Sequence, residues 1–291
     1  MKVKKAIITV AGLGTRFLPV TKSQPKAMLP IVDKPVIHYL VEEVVASGIE
    51  DIILVTGKGK RAIEDYFDYA VELENALISS GKKDLLQATR QIANLANISY
   101  VRQKEPAGNG DAILCARPWL NNEPVAVLFE DDIVVGEKPC LAQLIEVFEK
   151  YEDSVVALEK VTRKESFKYG MIDGVEVEKD IFEISRFVEK PRPAQAPNLL
   201  LGFVGKAILT PEVFVELNKI QKLFRNKKHE LGLVDAFQNL LKRRPLYGLR
   251  FQGKRYDCGS KIGFLKAVVD FGLSHAEVKK EFKQYLKNLK I

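Results

Sequence analysis

A glycine-rich segment near the N-terminus carries residue types that could bind a polyphosphate. Gly12 and Gly14 follow a short apolar run, and glycines let the backbone approach a ligand closely and present N–H groups to anionic oxygens. The cations Arg16, Lys22 and Lys26 come next, and Pro25 fixes the backbone immediately before Lys26. A glycine loop followed by cations on a stiff segment suits a polyphosphate ligand.

Two common phosphate-binding motifs do not fit this segment. The dinucleotide-binding motif needs a third glycine where the chain has Phe17, and it needs a helix at once, whereas prolines follow at positions 19, 25, 30 and 35. The P-loop needs Gly-Lys-Ser/Thr, but the nearby Gly-Lys pairs at 57–58 and 59–60 lead to Arg61. These mismatches argue against an NAD(P)-dependent oxidoreductase and against a P-loop protein.

Two adjacent carboxylates follow an apolar run in the first half of the chain. Asp131 and Asp132 come just after the run at residues 125–129. Ligands of parallel sheets lie at the carboxyl ends of the strands, so we expect both carboxylates to face the same crevice as the glycine loop. Carboxylates beside a polyphosphate suit Mg²⁺, which takes few protein oxygens and completes its shell with water and phosphate.

The composition is that of an ordinary globular protein. Of 291 residues, 46% are apolar and 29% are charged, which argues against disorder. No stretch approaches the roughly 20 apolar residues of a membrane span, and three scattered cysteines do not make a disulfide framework. We therefore expect a cytoplasmic protein with no membrane partner. The net charge of +7 permits an anionic partner, but no aromatic-interleaved basic motif indicates nucleic acid.

Apolar runs alternate with helical patterns in the first half of the chain. The runs predict strands at residues 6–10, 51–56, 98–102 and 125–129. Helical spacing predicts helices at residues 36–45, ended by Gly48, at 60–95 with a break at Gly81, and at 111–117. Continuous apolar strands separated by helices indicate a parallel sheet that is covered on both faces.

The second half of the chain has a different pattern. We predict strands at residues 155–161 and 199–209, and between them two antiparallel strands at 169–174 and 175–188. The pairs Asp173-Gly174 and Lys179-Asp180 are turn signals. Helices are expected at residues 235–243 and 261–271. The lysine-rich tail at 276–290 is interpreted as an amphipathic helix that docks on the body, with a helix lying on a membrane surface as the alternative.

The glycine loop also resembles a known family. Residues 12–22, GLGTRFLPVTK, together with Pro25-Lys26, resemble the signature of the sugar-1-phosphate nucleotidylyltransferases, and most closely that of the bacterial UTP–glucose-1-phosphate uridylyltransferases. The resemblance extends from about Lys5 to Leu273. It implies transfer of a uridylyl group from UTP to glucose 1-phosphate, giving UDP-glucose and pyrophosphate. It also implies Mg²⁺ as cofactor and a homodimer or homotetramer.

Together with the element pattern, the resemblance predicts an α/β fold. We expect a Rossmann-like three-layer sandwich with a mostly parallel central sheet and an added antiparallel sugar-binding portion. We expect residues 1–291 to form a single nucleotidyltransferase domain. Within it, residues 1–135 would form a nucleotide-binding half, residues 136–260 a sugar-phosphate-binding half, and residues 261–291 the C-terminal helices.

The resemblance assigns roles to individual residues. It implies nucleotide-binding positions at Ala11, Gly12, Leu13, Gly14, Thr15, Gln103 and Gly108, with the Gln103 amide reading a pyrimidine edge. The metal would be held by Asp131 and Asp257, the second of which lies in a Tyr-Asp-Cys-Gly segment. The sugar would meet Gly170, Glu189 and Val204. Among the cations, Arg16 and Lys26 would hold the triphosphate, and Lys190 the sugar phosphate.

Several positions depart from the usual text of that family. Glu130 stands where proline or glycine is usual, Asn109 and Asp111 replace leucine and histidine, and Ala27 replaces a frequent glutamate. Lys228 and His229 stand where a glycine-rich turn is common. These departures leave three alternatives open: another nucleotide such as dTTP, another sugar, or a low-activity regulatory paralogue that binds nucleotide sugars.

Overall fold

The structure is a computed structural model that describes residues 2–224 and 230–289. The strands of this part of the chain are β1 (Lys5–Thr9), β2 (Pro30–Ile31), β3 (Lys34–Pro35), β4 (Asp51–Thr56), β5 (Asn97–Arg102), β6 (Val125–Phe129), β7 (Asp132–Val135), β8 (Val155–Lys160), β9 (Gly170–Glu178), β10 (Ile181–Glu189), β11 (Leu201–Leu209), β12 (Tyr247–Arg250) and β13 (Lys254–Asp257). Lys228 and His229, which the sequence singled out, lie outside the described residues.

Helices connect most of these strands. Their bounds are α1 (Val36–Ala46), α2 (Arg61–Phe67), α3 (Val71–Ser79), α4 (Lys83–Ala93), α5 (Asn109–Cys115), α6 (Cys140–Tyr151), α7 (Pro211–Phe224), α8 (Leu233–Leu240), α9 (Lys261–Ser274) and α10 (Lys279–Asn288). The predicted helix ends at Gly48 and Gly81 are confirmed, because both glycines have a positive φ just after a helix. No helix in residues 2–224 or 230–289 is long and apolar enough to cross a bilayer.

One sheet of nine strands runs through the protein, in the order β5-β4-β1-β6-β11-β8-β12-β10-β9. Strands β5, β4, β1 and β6 are mutually parallel, and β8 and β12 continue in that direction. Strand β11 lies antiparallel between β6 and β8, and the β9–β10 hairpin completes the far edge. The prediction of an α/β sandwich with a largely parallel sheet and an antiparallel portion is confirmed.

The central strands are apolar on both faces because helices cover both. Ile8 packs in a cluster with α1 and α6, whereas its neighbour Ile7 packs in a second cluster with α5, α7 and α8. Successive side chains of a strand point to opposite faces, so a continuous apolar run is what a doubly covered strand requires. The helices that pack on the two faces and the sheet between them are the three predicted layers.

The antiparallel portion differs from the prediction at one turn. Strand β9 runs unbroken through Asp173-Gly174, and only Lys179-Asp180 forms the hairpin turn. Gly174 pairs with Ile184 beside a register shift, and a Cβ at this glycine would overlap the carbonyl oxygen of Glu183. The glycine therefore serves the close approach of two strands, and the prediction of a turn there was wrong.

The C-terminal tail docks on the body, as its amphipathic pattern predicted. The Phe282 ring of α10 lies over Gly272 of α9, where a Cβ would come 3.0 Å from the ring. Helix α9 in turn packs beside β13 and β2. The tail thus covers part of α9, which begins four positions after Asp257.

Candidate active site

The glycine loop follows β1 and is held by its own contacts. Three short 3₁₀ turns succeed it, at Thr15–Phe17, Val20–Lys22 and Lys26–Met28. Gly14 has a φ of 66°, a conformation that glycine adopts without strain, and its carbonyl oxygen accepts a hydrogen bond of 2.8 Å from Thr21 Oγ1. The loop is therefore folded back on itself, with its backbone open to a ligand.

Lys60, which immediately precedes α2, holds the glycine loop from another part of the chain. The Lys60 side chain is 7% exposed, and its Nζ donates a hydrogen bond of 2.5 Å to the carbonyl oxygen of Gly12. Burial lowers the pKa of Lys60, while the charge of Glu130 opposes that shift. Sequence reasoning missed Lys60, because it weighed the Gly59-Lys60 pair only as part of a P-loop.

Lys26 lies between two carboxylates. Its Nζ is 2.8 Å from Asp131 Oδ2 and 3.3 Å from Glu130 Oε1. Burial by itself would lower the pKa of Lys26, but the two carboxylates outweigh it and raise that pKa above its usual value. Burial likewise acts to raise the pKa of Asp131, but the charges of Lys26, Arg255 and Arg16 together more than offset it, so the pKa lies below its usual value. Both groups are therefore charged near neutral pH.

Asp131 and Asp257 approach each other across Gly259. A Cβ at Gly259 would overlap Asp131 Oδ2 and lie 3.1 Å from Asp257 Oδ1. The segment is fastened by two hydrogen bonds, from Gly259 N to Asp257 Oδ1 at 3.0 Å and from Cys258 N to the Asp131 carbonyl oxygen at 2.7 Å. Only a glycine leaves room for both carboxylates. Asp257 is the last residue of β13, Asp131 immediately precedes β7, and the two strands pair with each other.

The donor set of this carboxylate pair fits Mg²⁺. Hard carboxylate oxygens are what Mg²⁺ prefers, and it usually takes only one or two of them besides phosphate and water. No group of three or more His, Cys, Asp or Glu side chains suited to a metal occurs in the described part of the chain. A site of two carboxylates that is completed by a substrate is consistent with that finding.

A cavity of about 370 Å³ joins the glycine loop to the predicted base-binding residues. It is lined by all of the predicted nucleotide-binding positions, Ala11, Gly12, Leu13, Gly14, Thr15, Gln103 and Gly108. A smaller cavity of about 230 Å³ adjoins it at Lys26 and Asp131 and is lined also by Arg16, whose Nη1 lies 3.4 Å from the Gly259 carbonyl oxygen. The predicted nucleotide residues and the two cations predicted to hold the triphosphate, Arg16 and Lys26, therefore form one continuous wall.

Two of the predicted sugar-binding residues, Gly170 and Glu189, meet at the open end of the β9–β10 hairpin. Gly170 pairs with Glu189, and Lys190 Nζ lies 3.2 Å from Glu189 Oε1. The Lys190 N–H donates a hydrogen bond of 3.0 Å to the Tyr169 carbonyl oxygen. The side chain of Val204 is buried in β11, so only its backbone could meet a ligand. These residues line neither of the two cavities.

Arg255 connects Tyr169, which precedes the predicted sugar-binding residue Gly170, to Asp132 and Glu159. Its guanidinium donates to Asp132 Oδ1 at 2.5 Å, to Glu159 Oε2 at 2.9 Å and to the Tyr169 hydroxyl at 3.3 Å. Asp132 is thus occupied by Arg255 and lines neither cavity, so the expectation that it faces the crevice beside Asp131 was wrong. Sequence reasoning missed Arg255, although a cation two residues before Asp257 was a signal.

The departures from the family pattern have structural explanations. Ala27 is fully buried in the core, which excludes a longer side chain there. Asn109 Oδ1 accepts a hydrogen bond of 2.9 Å from Leu233 N at the start of α8. Glu130 is buried and has one unpartnered oxygen, and burial raises its pKa while Lys26 opposes that shift. A Cβ at Gly12 would come 2.7 Å from Glu130 Oε1, so this glutamate packs directly beneath the glycine loop.

Comparison with known proteins agrees with this geometry. A family model described as nucleotidyl transferase matches residues 5–272. The chain is 48% identical over 289 residues to UTP–glucose-1-phosphate uridylyltransferase 1 of Staphylococcus saprophyticus, covering 99% of both proteins.

Solved structures are similar as well. A UDP-glucose pyrophosphorylase in complex with UDP-glucose matches 92% of this chain and 98% of its own, with a TM-score of 0.82 and 42% identity. A UTP-bound UGPase from Acinetobacter baumannii matches 99% of this chain and 100% of its own, with a TM-score of 0.90 and 38% identity.

Proposed function

The chain belongs to the nucleotidyl transferase family, and from that premise we propose that it transfers a uridylyl group from UTP to glucose 1-phosphate, giving UDP-glucose and pyrophosphate. The observation that carries the proposal is the continuous wall described above. It leads from Gln103 and Gly108 through the glycine loop to Lys26 and Asp131. The base, the ribose and the phosphates of a nucleoside triphosphate follow one another in the same order as these residues.

The reaction needs alignment and charge neutralisation more than a general base. A phosphate oxygen of glucose 1-phosphate attacks the α-phosphorus of UTP, and the bond from that phosphorus to the oxygen bridging the β-phosphorus breaks. The attacking oxygen is already anionic near neutral pH. The protein must therefore bring two polyanions together in line and stabilise the charge that develops between them.

Each cation has a place in that scheme. Arg16 and Lys26 hold the triphosphate from the glycine-loop side, and Lys190 holds the phosphate of the sugar. Lys26 changes partners on binding, because its charge is directed at Asp131 and Glu130 in the free protein. Glu189 accepts hydrogen bonds from sugar hydroxyls, and the backbone at Gly170 and Val204 meets the sugar ring.

We propose Mg²⁺ as the cofactor, held by Asp131 and Asp257. The support is the pair of carboxylates that meets over Gly259, with oxygen donors only. When bound, Mg²⁺ neutralises negative charge on the phosphate oxygens of both substrates.

We further propose a single domain, a homo-oligomer and a cytoplasmic location. The single domain is supported by the sheet, in which β6 of the first half pairs with β11 of the second. An oligomer is supported by exposed apolar side chains around the glycine loop and α9, where Leu18 is 51% and Ile262 is 64% exposed. Light scattering at several protein concentrations measures the assembly.

The function is tested by measuring pyrophosphate release from a panel of substrates. The panel pairs UTP, dTTP, CTP and ATP with glucose 1-phosphate, and UTP with galactose 1-phosphate or mannose 1-phosphate, all with Mg²⁺. We expect the highest kcat/KM for UTP with glucose 1-phosphate. A higher value for another pair would replace the substrates. No release from any pair, together with binding of UDP-glucose, would favour the regulatory paralogue.

A further inference from the structure

Gln103 is held by two acceptors at the end of β5. Its side chain is 5% exposed and lines the larger cavity. Its Nε2 donates a hydrogen bond of 2.8 Å to Asp111 Oδ2 and one of 3.2 Å to the Gly108 carbonyl oxygen. Asp111 is held in turn, because Gln221 Nε2 donates a hydrogen bond of 2.9 Å to its other oxygen.

These contacts fix which end of the Gln103 amide faces which way. A carboxylate and a carbonyl oxygen can only accept hydrogen bonds, so the NH₂ group must lie on the side of Asp111 and Gly108. A flipped amide would place Oε1 against both acceptors, lose two hydrogen bonds and add repulsion. In residues 2–224 and 230–289, no donor forms a hydrogen bond to Gln103 Oε1. The Nε2 group of Gln103 is thus occupied by two acceptors, whereas its Oε1 can accept a hydrogen bond from a ligand.

We propose that Asp111 is a positioning residue that makes Gln103 an acceptor toward the base. This inference rests on the proposed function, in which Gln103 contacts the pyrimidine. Uracil carries a hydrogen on N3 and can donate it to Oε1. Cytosine has a bare acceptor at N3, so a fixed Oε1 repels it. The Asp111 side chain therefore selects uracil over cytosine without touching the base.

The same contacts also predict how the site treats UTP and dTTP. Thymine carries the same N3 hydrogen as uracil, so the Asp111–Gln103 pair does not separate UTP from dTTP. Any preference between those two nucleotides must come from groups near the ribose or near C5 of the base. The aspartate at this position is thus compatible with uracil selectivity, although it replaces the histidine usual in similar sequences.

The test uses Asp111→Asn in the full-length protein. Asparagine keeps the shape of the side chain but can donate as well as accept, so both orientations of Gln103 become possible. We expect the ratio of UTP to CTP affinity, measured by calorimetry, to fall by ~10-fold, the value of one net hydrogen bond. We expect KM for UTP to rise more than kcat falls.

Two controls separate positioning from structural damage. Gln221→Ala removes only the outer hydrogen bond to Asp111, so its UTP-to-CTP ratio should stay near that of the wild type. The melting temperature and circular dichroism of Asp111→Asn report whether it folds, and Asp111→Ala provides a second variant without the acceptor.

Calorimetry keeps the two proposals apart. A folded Asp111→Asn variant with an unchanged ratio would overturn this inference alone. Wild-type protein that binds UTP but releases no pyrophosphate would overturn the proposed reaction and leave the ratio measurable. Wild-type protein that binds UTP no more tightly than CTP would overturn the inference directly.

Discussion

Lys26 Nζ lies 2.8 Å from Asp131 Oδ2, so the residue proposed to hold the triphosphate and the residue proposed to hold the metal are bonded to each other. This pair neutralises part of the negative charge of a site that also holds Glu130 and Asp257. Under the proposed function, Lys26 turns to the triphosphate and Asp131 to the metal, so ligand binding would weaken this ion pair. The free protein therefore keeps both groups charged and in place before any ligand arrives.

Replacing Lys26 tests its role in charge stabilisation. We expect Lys26→Met to lower the rate of pyrophosphate release by ~10²–10³-fold, comparable with the loss of a donor that acts mainly in the transition state. Lys22→Met is the matched control, since Lys22, the third cation of this segment, is exposed and lines neither cavity, and the rate should stay within about twofold of wild type. A folded Lys26→Met protein with near wild-type turnover would remove this lysine from the mechanism.

Replacing Asp257 should change how the rate of pyrophosphate release depends on the Mg²⁺ concentration. Chelation with EDTA should abolish pyrophosphate release, and added Mg²⁺ should restore it. Asp257→Asn should raise the Mg²⁺ concentration for half-maximal rate by ~10-fold or more, because one of two charged ligands is lost. Asp33→Asn, at an exposed aspartate paired with His275, should not change that concentration. Equal Mg²⁺ curves for Asp257→Asn and wild type would contradict the assignment.

Lys60 should matter for nucleotide binding through the glycine loop. Lys60→Met leaves the Gly12 carbonyl oxygen without its buried donor, so we expect KM for UTP to rise by ~10-fold with a smaller change in kcat. The exposed neighbour Lys58 provides the control, and Lys58→Met should behave as wild type. If both variants gave the same KM, the loop would not depend on this hydrogen bond.

Lys190 should affect only the sugar substrate. We expect Lys190→Ala to raise KM for glucose 1-phosphate by ~10-fold or more while KM for UTP stays nearly constant, because a charge-assisted contact to one phosphate is lost. Lys179→Ala, at the other end of the same hairpin, should change neither constant. A parallel rise in both KM values would indicate that Lys190 holds the fold of the hairpin instead.

Much of the first half could be predicted from local patterns. Strands β1, β4 and β6 are apolar runs whose burial on both faces follows from their sequence, and Gly48 ends α1 by a local rule. Gln103 and Asp257 were assigned from the resemblance of their motifs to a known family, and the structure places Gln103 in the same cavity as the glycine loop and Asp257 close to Asp131. Helices α6 and α7 had apolar residues at helical spacing, and this signal was overlooked.

Other features depend on partners that are distant in sequence. Strands β7 and β13 have four residues each and pair only in the folded protein, so no local pattern identifies them. Asp131 and Asp132 are equivalent in sequence, and only Arg255, 123 positions beyond Asp132, decides which of the two carboxylates remains available to a ligand. Asp173-Gly174 has the composition of a turn, but its glycine lies within a strand, where it leaves room for the carbonyl oxygen of Glu183 on the neighbouring strand.

The position of β11 in the sheet has a consequence for synthesis on the ribosome. Strand β6 ends at Phe129, yet its neighbour β11 begins only at Leu201. Until that later segment emerges, β6 presents an unpaired edge, which is a template for aggregation. The strands β5, β4, β1 and β6 therefore lack a covered edge until β11 is made, and truncated fragments ending before β11 should be handed to chaperones or degraded.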